Sequence, residues 1–249
     1  MVQGYGDLIL FFFLTLIAEV VGTVGGFGSS LFFVSIFQFL YDFQLVLALT
    51  GLLHVFSNTA KIILFWKTIE WKLTWWVGSS SVVLAIAGAY LTRLIDFEYA
   101  RLTLGVFQMG FSAFFLLSPA FSIRATFKAA LLGGGIAGFL AGFIGTGGAI
   151  RGLVLAAFRL EKNLFVGTSA AIDFGVDFSR TLIYLDSGYF GHAAWMYVPF
   201  LLIASFAGSY IGKRLLGKIT EWNFRKVLLV LVFLAGLILV FEKMILLFD

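Results

Sequence analysis

Uncharged apolar runs of about 20 residues, the length that crosses a bilayer core as a helix, recur along this whole chain. The first lysine or arginine is Lys61. Hydrophobic residues make up 61% of the chain and charged residues 12%, against roughly 45–50% and 25% in soluble proteins. No stretch alternates apolar and polar residues as the strands of a membrane barrel do. The sequence therefore predicts an all-α integral membrane protein.

The polar connections are too short to form a second domain. The longest, at about 67–72, 93–101 and 212–226, cannot bury a core, so residues 1–249 are interpreted as one membrane transport domain. The first apolar run lacks the positive residues that begin a signal peptide. With no cysteine and two histidines, we expect no cofactor and no metal site. The net charge of +4 lies in short loops, where it indicates topology rather than nucleic-acid binding.

Two glycine clusters interrupt the apolar runs at matching places. Gly22, Gly25 and Gly28 recur 120 residues later as Gly142, Gly145 and Gly148. A glycine in a helix interior costs about 1 kcal/mol relative to alanine. Each cluster is therefore predicted to be the break of a helical hairpin.

The chain also repeats beyond the glycines. Trp76 matches Trp195, and the Ala-Gly pair at 87–88 matches the pair at 207–208. We predict two repeats, at about 5–118 and 123–248, each a glycine-broken hairpin followed by three transmembrane helices. The predicted helices are 7–24, 29–41, 44–66, 73–94, 99–117, then from about 123 to the second cluster, 149–160, 164–185, 193–215 and 224–248. The two hairpin arms 7–24 and 29–41 are each short for a full crossing.

Loop charges indicate how the repeats lie in the membrane. If each hairpin enters and leaves on one side, the three following helices invert the second repeat relative to the first. Eleven loop lysines and arginines then share one side and three, Arg93, Arg101 and Lys243, share the other. The positive-inside rule favours this arrangement. Both chain ends are then predicted to lie outside the cytoplasm.

Lys61, Arg151 and Arg180 belong to no loop. An intramembrane charge costs at least about 2.5 kcal/mol, so each is a candidate functional residue. His54, Asn58 and Lys61 stand at i, i+4 and i+7, and Asp173, Asp177 and Arg180 repeat that spacing. Such a spacing lays one polar stripe along a helix face.

A helix that restarts after a glycine break offers free backbone N–H groups and the positive end of its dipole, which suits a small oxyanion. Lys61, Arg180 and Arg151 would add charge. The candidate substrate-binding residues are Gly25, Gly26, Gly28, Ser29, Lys61, Gly145, Thr146, Gly147, Gly148, Arg151 and Arg180. The candidates for proton coupling are Glu19, His54, Asp173 and Asp177.

Simpler interpretations stay open. The glycines could serve close helix packing, and Lys61 and Arg180 could extend to the membrane interface. Asp177 and Arg180 could neutralise each other at i, i+3. His54 could be a packed, hydrogen-bonded core residue, and Glu19, whose repeat counterpart is Phe139, could pair with a nearby cation.

The duplicated unit resembles the sulfite exporter TauE/SafE family. The likeness rests on a glycine-rich cluster, a following span with a threonine or serine near its start (Thr50; Thr168-Ser169) and an Ala-Gly span that ends in a basic loop. It covers about residues 7–245. The resemblance implies a multi-pass permease of the bacterial inner membrane that moves sulfite, an organosulfonate or a related small sulfur-containing anion, coupled to protons. Arg151, whose counterpart is Leu31, would be a specificity residue of this member.

We therefore expect a secondary transporter that works by alternating access, with membrane lipid, protons and a small anion as its partners. An anion channel is one alternative, and a carrier of a cation or amino acid that uses Glu19, Asp173 and Asp177 is another. An intramembrane enzyme built on Asp173 and Asp177 has no accompanying nucleophile or metal set. The sequence leaves the anion, the direction of flow and the oligomeric state open.

Overall fold

The computed structural model of the chain describes residues 5–26, 28–37, 40–91, 98–118, 124–144 and 147–248. Regular structure within these ranges is entirely helical. The α-helices are α1 Tyr5–Gly25, α2 Ser30–Phe37, α3 Phe43–Phe65, α4 Trp71–Leu91, α5 Glu98–Leu117, α6 Phe127–Ile144, α7 Gly147–Ala157, α8 Lys162–Asp186, α9 Val198–Leu216 and α10 Glu221–Phe248. Short 3-10 helices at Trp66–Thr68 and His192–Tyr197 precede α4 and α9.

Four segments are long and apolar enough to cross a membrane by length and composition. They are Gly6–Gly25, Gln44–Thr68, Trp71–Leu91 and Ala194–Leu216. At 25 residues α8 also has spanning length, but it carries the buried charges of Asp173, Asp177 and Arg180. The bounds of α3 and α8 agree with those expected from the sequence to within two residues. The helix α9 begins at Val198 rather than at 193, because His192–Tyr197 form a 3-10 helix, and α10 begins at Glu221 rather than at 224. The fold supports a multi-pass membrane protein.

The first hairpin is asymmetric, and the expectation that both of its arms are short was wrong for α1. This helix has 21 residues and continues through Gly25, because the backbone leaves the helical region only at Gly26 and Gly28, whose φ angles are +79° and +93°. The chain then reverses tightly: a Cβ on Gly22 would lie 2.5 Å from the carbonyl carbon of Gly28. Only α2, with 8 residues, is a short arm.

The two helices of the second hairpin also differ from their expected bounds. The arm α6 begins at Phe127 rather than at about Ile123, a residue that lies outside the described ranges. The following helix, α7, starts at Gly147 rather than Ala149. Gly147 and Gly148 therefore belong to the first turn of α7, while Gly145 and Thr146 lie outside the described residues.

The helices of the two halves pack in matched pairs. The hairpin arm α1 packs on α9, and its counterpart α6 packs on α4. The helices α3 and α8 cross each other, α3 also packs on α9 as α8 packs on α4, and α5 packs on α10. Glycines allow this close approach: a Cβ on Gly208 would lie 2.8 Å from Cβ of Glu19, and Gly88 and Gly142 meet backbone atoms of the opposing helix. The helices of each half therefore pack mainly against helices of the other half.

Hydrogen bonds join three connections at one end of the bundle, 66–72, 158–162 and 213–221. Together they carry seven lysines and arginines against three glutamates, so this end is here called the basic end. Thr68 Oγ1 donates to the carbonyl oxygen of Asn163 at 3.1 Å. The backbone N–H of Lys162 donates to Glu221 Oε2 at 2.8 Å. Phe127, at the start of α6, contacts the Trp76 ring. The distribution of loop charges had predicted that these connections lie on the same side of the membrane. Which side they face stays a prediction.

Candidate functional site

The first hairpin holds a buried ion pair. Glu19 of α1 and Lys61 of α3 are 2.7 Å apart, with the carboxylate fully buried. Ser57 links the two residues, since its hydroxyl donates to Glu19 Oε1 at 2.5 Å and accepts from Lys61 Nζ at 2.6 Å. Ser29, just after the glycine break, donates to Glu19 Oε2 at 2.6 Å. The carboxylate thus ties both arms of the hairpin to α3.

His54 connects this pair to the second half of the chain. Its Nε2 lies 3.3 Å from Ser29 Oγ, and its Nδ1 lies 3.1 Å from Asp177 Oδ2 on α8. A Cβ on Gly28 would lie 3.0 Å from the imidazole, so the ring is packed directly on the break. The imidazole is thereby part of a hydrogen-bonded path from α1 to α8.

The carboxylate of Asp177 accepts hydrogen bonds from side chains of both halves of the chain. Asn58 Nδ2 donates to its Oδ2 at 2.8 Å across the α3–α8 interface, and Arg180 pairs with its Oδ1 at 2.7 Å. Arg180 Nη1 also donates to the carbonyl oxygen of Ala141 at 3.3 Å. Tyr184 Oη donates to the carbonyl oxygen of Gly142 at 2.7 Å. The last turn of α6, next to the second break, is therefore anchored to α8.

A third buried ion pair lies between α7 and α8. Arg151 pairs with Asp173, and its Nε donates to Ser169 Oγ at 3.3 Å. Arg151 is 2% exposed and Asp173 is 5% exposed. Arg151, which has no charged repeat counterpart, thus has a partner on the polar stripe of α8.

The buried charges balance. Among the residues whose burial the structure describes, they are three carboxylates, Glu19, Asp173 and Asp177, and three cations, Lys61, Arg151 and Arg180. Each carboxylate pairs with one cation, which lowers the cost of keeping these charges away from water. The imidazole of His54 is a further buried ionisable side chain beside these three pairs.

The remaining predicted residues that the structure describes lie at the two breaks. Gly25, Gly26, Gly28 and Ser29 are buried around the first break, where a Cβ on Gly26 would meet the rings of Phe165 and Phe224. At the second break Gly148 is buried in the first turn of α7. No group of three or more metal-ligating side chains occurs among the described residues. The candidate residues therefore converge on the first break and on the α3–α8 interface.

Sequence reasoning did not include Ser57, Ser209 or Tyr184 among the site residues. Ser209 of α9 donates to Glu19 Oε1 at 3.3 Å. Ser57 precedes Lys61 by four residues and Tyr184 follows Arg180 by four, so both extend the polar stripes already recognised. That spacing was the available signal for these two residues. Nothing in the sequence pairs Ser209 with Glu19, which is 190 positions away.

Comparison with known proteins identifies the family. The sequence profile described as sulfite exporter TauE/SafE matches residues 11–239. No curated protein and no solved structure matches the chain. The profile covers nearly the whole chain, including both glycine breaks and all six buried ionic groups. The chain belongs to the sulfite exporter TauE/SafE family, which is a family of membrane transporters and not of enzymes.

Proposed function

We propose that this protein is a secondary transporter that moves a small sulfur-containing anion, sulfite or an organosulfonate, across the bacterial inner membrane by alternating access. The observation that carries the proposal is the buried polar path from Glu19 through Ser29 and His54 to Asp177, which passes the first glycine break and crosses between the halves. Buried ionic groups of this kind mark substrate and ion pathways in membrane proteins.

The two halves act as inverted repeats in this proposal. The matched helix pairs, α1 on α9 and α6 on α4, support a twofold relation between them. Transporters with such repeats bind substrate where discontinuous helices meet and rock one repeat against the other. The N–H groups of Gly26 and Gly28 donate to the carbonyl oxygen of Gly22, at 3.0 and 3.3 Å, and so do not serve an anion. The proposed contact surface for the anion is Ser29 together with the N–H groups in the first turn of α2, just after the break. Lys61, Arg180 and Arg151 supply the positive field around it.

Hydrogen-bond counting supports His54 as the proton carrier. Asp177, as a carboxylate, can only accept, so His54 Nδ1 donates to it. Ser29 has a single hydroxyl proton, which it donates to Glu19. In this proposal His54 Nε2, which lies 3.3 Å from Ser29 Oγ, donates to that hydroxyl, and an imidazole that donates from both nitrogens carries a positive charge.

Counting the buried charges also predicts how many protons accompany each anion. With three paired carboxylates and three paired cations the buried cluster is neutral, so protonated His54 leaves it with one positive charge. One monovalent anion restores neutrality. We therefore propose that one proton accompanies each monovalent anion, and that loss of the proton from His54 favours release of the anion.

Transport by purified protein in liposomes tests the proposal. Uptake of sulfite, thiosulfate, sulfoacetate and sulfate is measured together with internal pH, and taurine is included as the zwitterionic comparison. Saturable uptake of one sulfur anion with one proton each is expected. Lys61→Gln and Arg180→Gln should abolish it, while Lys72→Gln, which removes an exposed lysine, should not. The conservative Arg180→Lys variant separates loss of charge from loss of folding.

The other outcomes overturn parts of the proposal. Uptake of only a cation or a zwitterion would favour the carrier that uses Glu19, Asp173 and Asp177. Anion flux that neither saturates nor moves protons would favour a channel. His54→Gln should abolish proton movement, with His192→Gln, the exposed second histidine, as the matched control. Proton-coupled uptake that survives His54→Gln would refute the role of His54 alone.

A further inference from the structure

A cavity of about 290 Å³ opens at the basic end between α7, α8 and α10. Its lining includes Arg159, Glu161, Phe165, Glu221, Phe224 and Arg225. Since one water occupies about 30 Å³ in the liquid, this volume accommodates a sulfite- or sulfonate-sized ion with part of its hydration shell. The cavity lies apart from the central polar path described above.

Two aromatic rings separate this cavity from the first glycine break. Phe165 and Phe224 form an edge-to-face pair with ring centroids 5.4 Å apart, and both are buried. The same two rings touch the break: a Cβ on Gly26 would lie 2.8 Å from Phe165 Cε1 and 3.0 Å from Phe224 Cζ. One layer of side chains therefore lies between the cavity and the proposed anion site.

The cavity carries an arginine in a strained backbone conformation. Arg159 follows the end of α7 with a φ of +54°, a position at which helices usually have glycine. A side chain in this conformation is strained, and such strain tends to be retained at functional positions. The strained residue presents its cation at the cavity.

The other lining charges are partly engaged. Arg225 Nη2 donates to the carbonyl oxygen of Ala156 at 3.2 Å. Glu221 accepts the backbone N–H of Lys162 at 2.8 Å, and Glu161 precedes α8. The four charges that line the cavity balance, since Arg159 and Arg225 stand against Glu161 and Glu221. The positive excess at the cavity mouth therefore comes from the neighbouring lysines of the basic end, among them Lys162 and Lys218. Such a field raises the local concentration of an anion.

We propose that this cavity is the access vestibule through which a small oxyanion reaches the first glycine break, with Phe165 and Phe224 as the gate between them. The present conformation is the one in which the gate is closed. Opening requires the two rings to part, which a rotation of α10 relative to α8 would accomplish. The inference rests on the proposed function, since the break must be the anion site for the vestibule to lead to it.

Cysteine accessibility tests the gate directly, because the chain contains no cysteine of its own. Leu160→Cys places a thiol in the vestibule and Ser30→Cys places one behind the gate at the start of α2. Both are reacted in detergent with the anionic reagent 2-sulfonatoethyl methanethiosulfonate, itself a sulfonate, and with its trimethylammonium analogue. Rates are normalised to the reaction of each reagent with a free thiol.

The gate predicts at least tenfold faster anionic labelling of Leu160→Cys than of Ser30→Cys. Adding Phe224→Ala should raise the Ser30→Cys rate at least tenfold and leave the Leu160→Cys rate within twofold. Phe224→Leu is the fallback if the alanine variant does not fold. Phe115→Ala is the matched control, since Phe115 is equally buried in the same hydrophobic cluster but does not line the cavity.

A rise of less than twofold with Phe224→Ala, or an equal rise with Phe115→Ala, would overturn the gate. Equal rates for the anionic and cationic reagents at Leu160→Cys would overturn the vestibule as an anion route. Arg159→Gln should lower the anionic rate several-fold and should not lower the cationic rate, because the lost charge attracts the anion and repels the cation. These rates need no transport, so a gate that opens in a protein that moves no sulfur anion would refute the proposed function and not the gate.

Discussion

The Glu19–Lys61 pair offers a quantitative test of how the first hairpin is held. Glu19→Gln leaves Lys61 as a buried cation without a carboxylate. Removing one partner of a buried ion pair costs about 3–5 kcal/mol. Glutamine keeps an oxygen that can accept from Ser57 or Ser29, and Lys61 Nζ keeps its bond to Ser57. We therefore expect the lower end of that range, about 3 kcal/mol.

This cost corresponds to roughly a 150-fold fall in the ratio of folded to unfolded protein, at tenfold for each 1.4 kcal/mol. It is measured by SDS titration of the purified protein in mixed micelles. The double variant Glu19→Gln/Lys61→Met should recover at least half of the loss, because replacing a whole buried pair by uncharged groups is often close to neutral.

Thr15→Val is the matched control. Thr15 lies one turn before Glu19 on α1, is fully buried, and donates only to the carbonyl oxygen of Phe11, at 2.7 Å. Its loss should cost about 0.6 kcal/mol, the average for hydrogen bonds within membranes. A Glu19→Gln cost below about 1 kcal/mol, or a double variant no more stable than the single one, would refute the pairing as the stabilising contact.

Three further predictions concern packing, an anchoring bond and backbone strain. Gly142→Ala should lower the free energy of unfolding by about 1–3 kcal/mol in SDS titration, because its Cβ would meet the backbone of Ala85. Gly110→Ala, which has open space around its Cβ, should not destabilise the protein. Equal effects of the two variants would contradict the α4–α6 contact. Tyr184→Phe should cost about 0.6 kcal/mol by losing the bond to the Gly142 carbonyl, and an unchanged midpoint would contradict that bond. Arg159→Gly should stabilise by about 1 kcal/mol in the same titration while slowing anionic labelling of the vestibule, and a destabilised variant would contradict the strain.

The helices could be predicted from the sequence because they depend on local composition. The bounds of α3, expected at 44–66, and of α8, expected at 164–185, agree with the structure to within about two residues, the usual disagreement at helix ends. The hairpin breaks were less predictable. Gly25 remains helical and Gly147 begins a helix, since a single glycine costs only about 1 kcal/mol in a helix and packing can override it.

The candidate site was predictable in its residues but not in its connections. The i, i+4, i+7 spacing placed His54 with Lys61 and Asp173 with Arg180 on two stripes, and each of these residues is buried. One pair was predictable, since Asp177 and Arg180 stand at i, i+3 and form an ion pair in the structure. The other partners could not be predicted. Lys61 pairs with Glu19 and Arg151 pairs with Asp173, at separations of 42 and 22 positions. No local pattern relates such residues.

The sequence by itself determined that this chain is an all-helical membrane protein, because burial of apolar side chains and satisfaction of backbone groups in lipid depend on local runs of residues. Its duplicated glycines and isolated intramembrane charges also marked the candidate functional residues. Only the tertiary structure decided that Glu19 neutralises Lys61 and Asp173 neutralises Arg151. It also decided that His54 joins the two halves and that Phe165 and Phe224 cover Gly26. These contacts depend on how α1, α3, α8 and α10 cross in space, and the crossing is set by small residues whose partners lie on the other half of the chain.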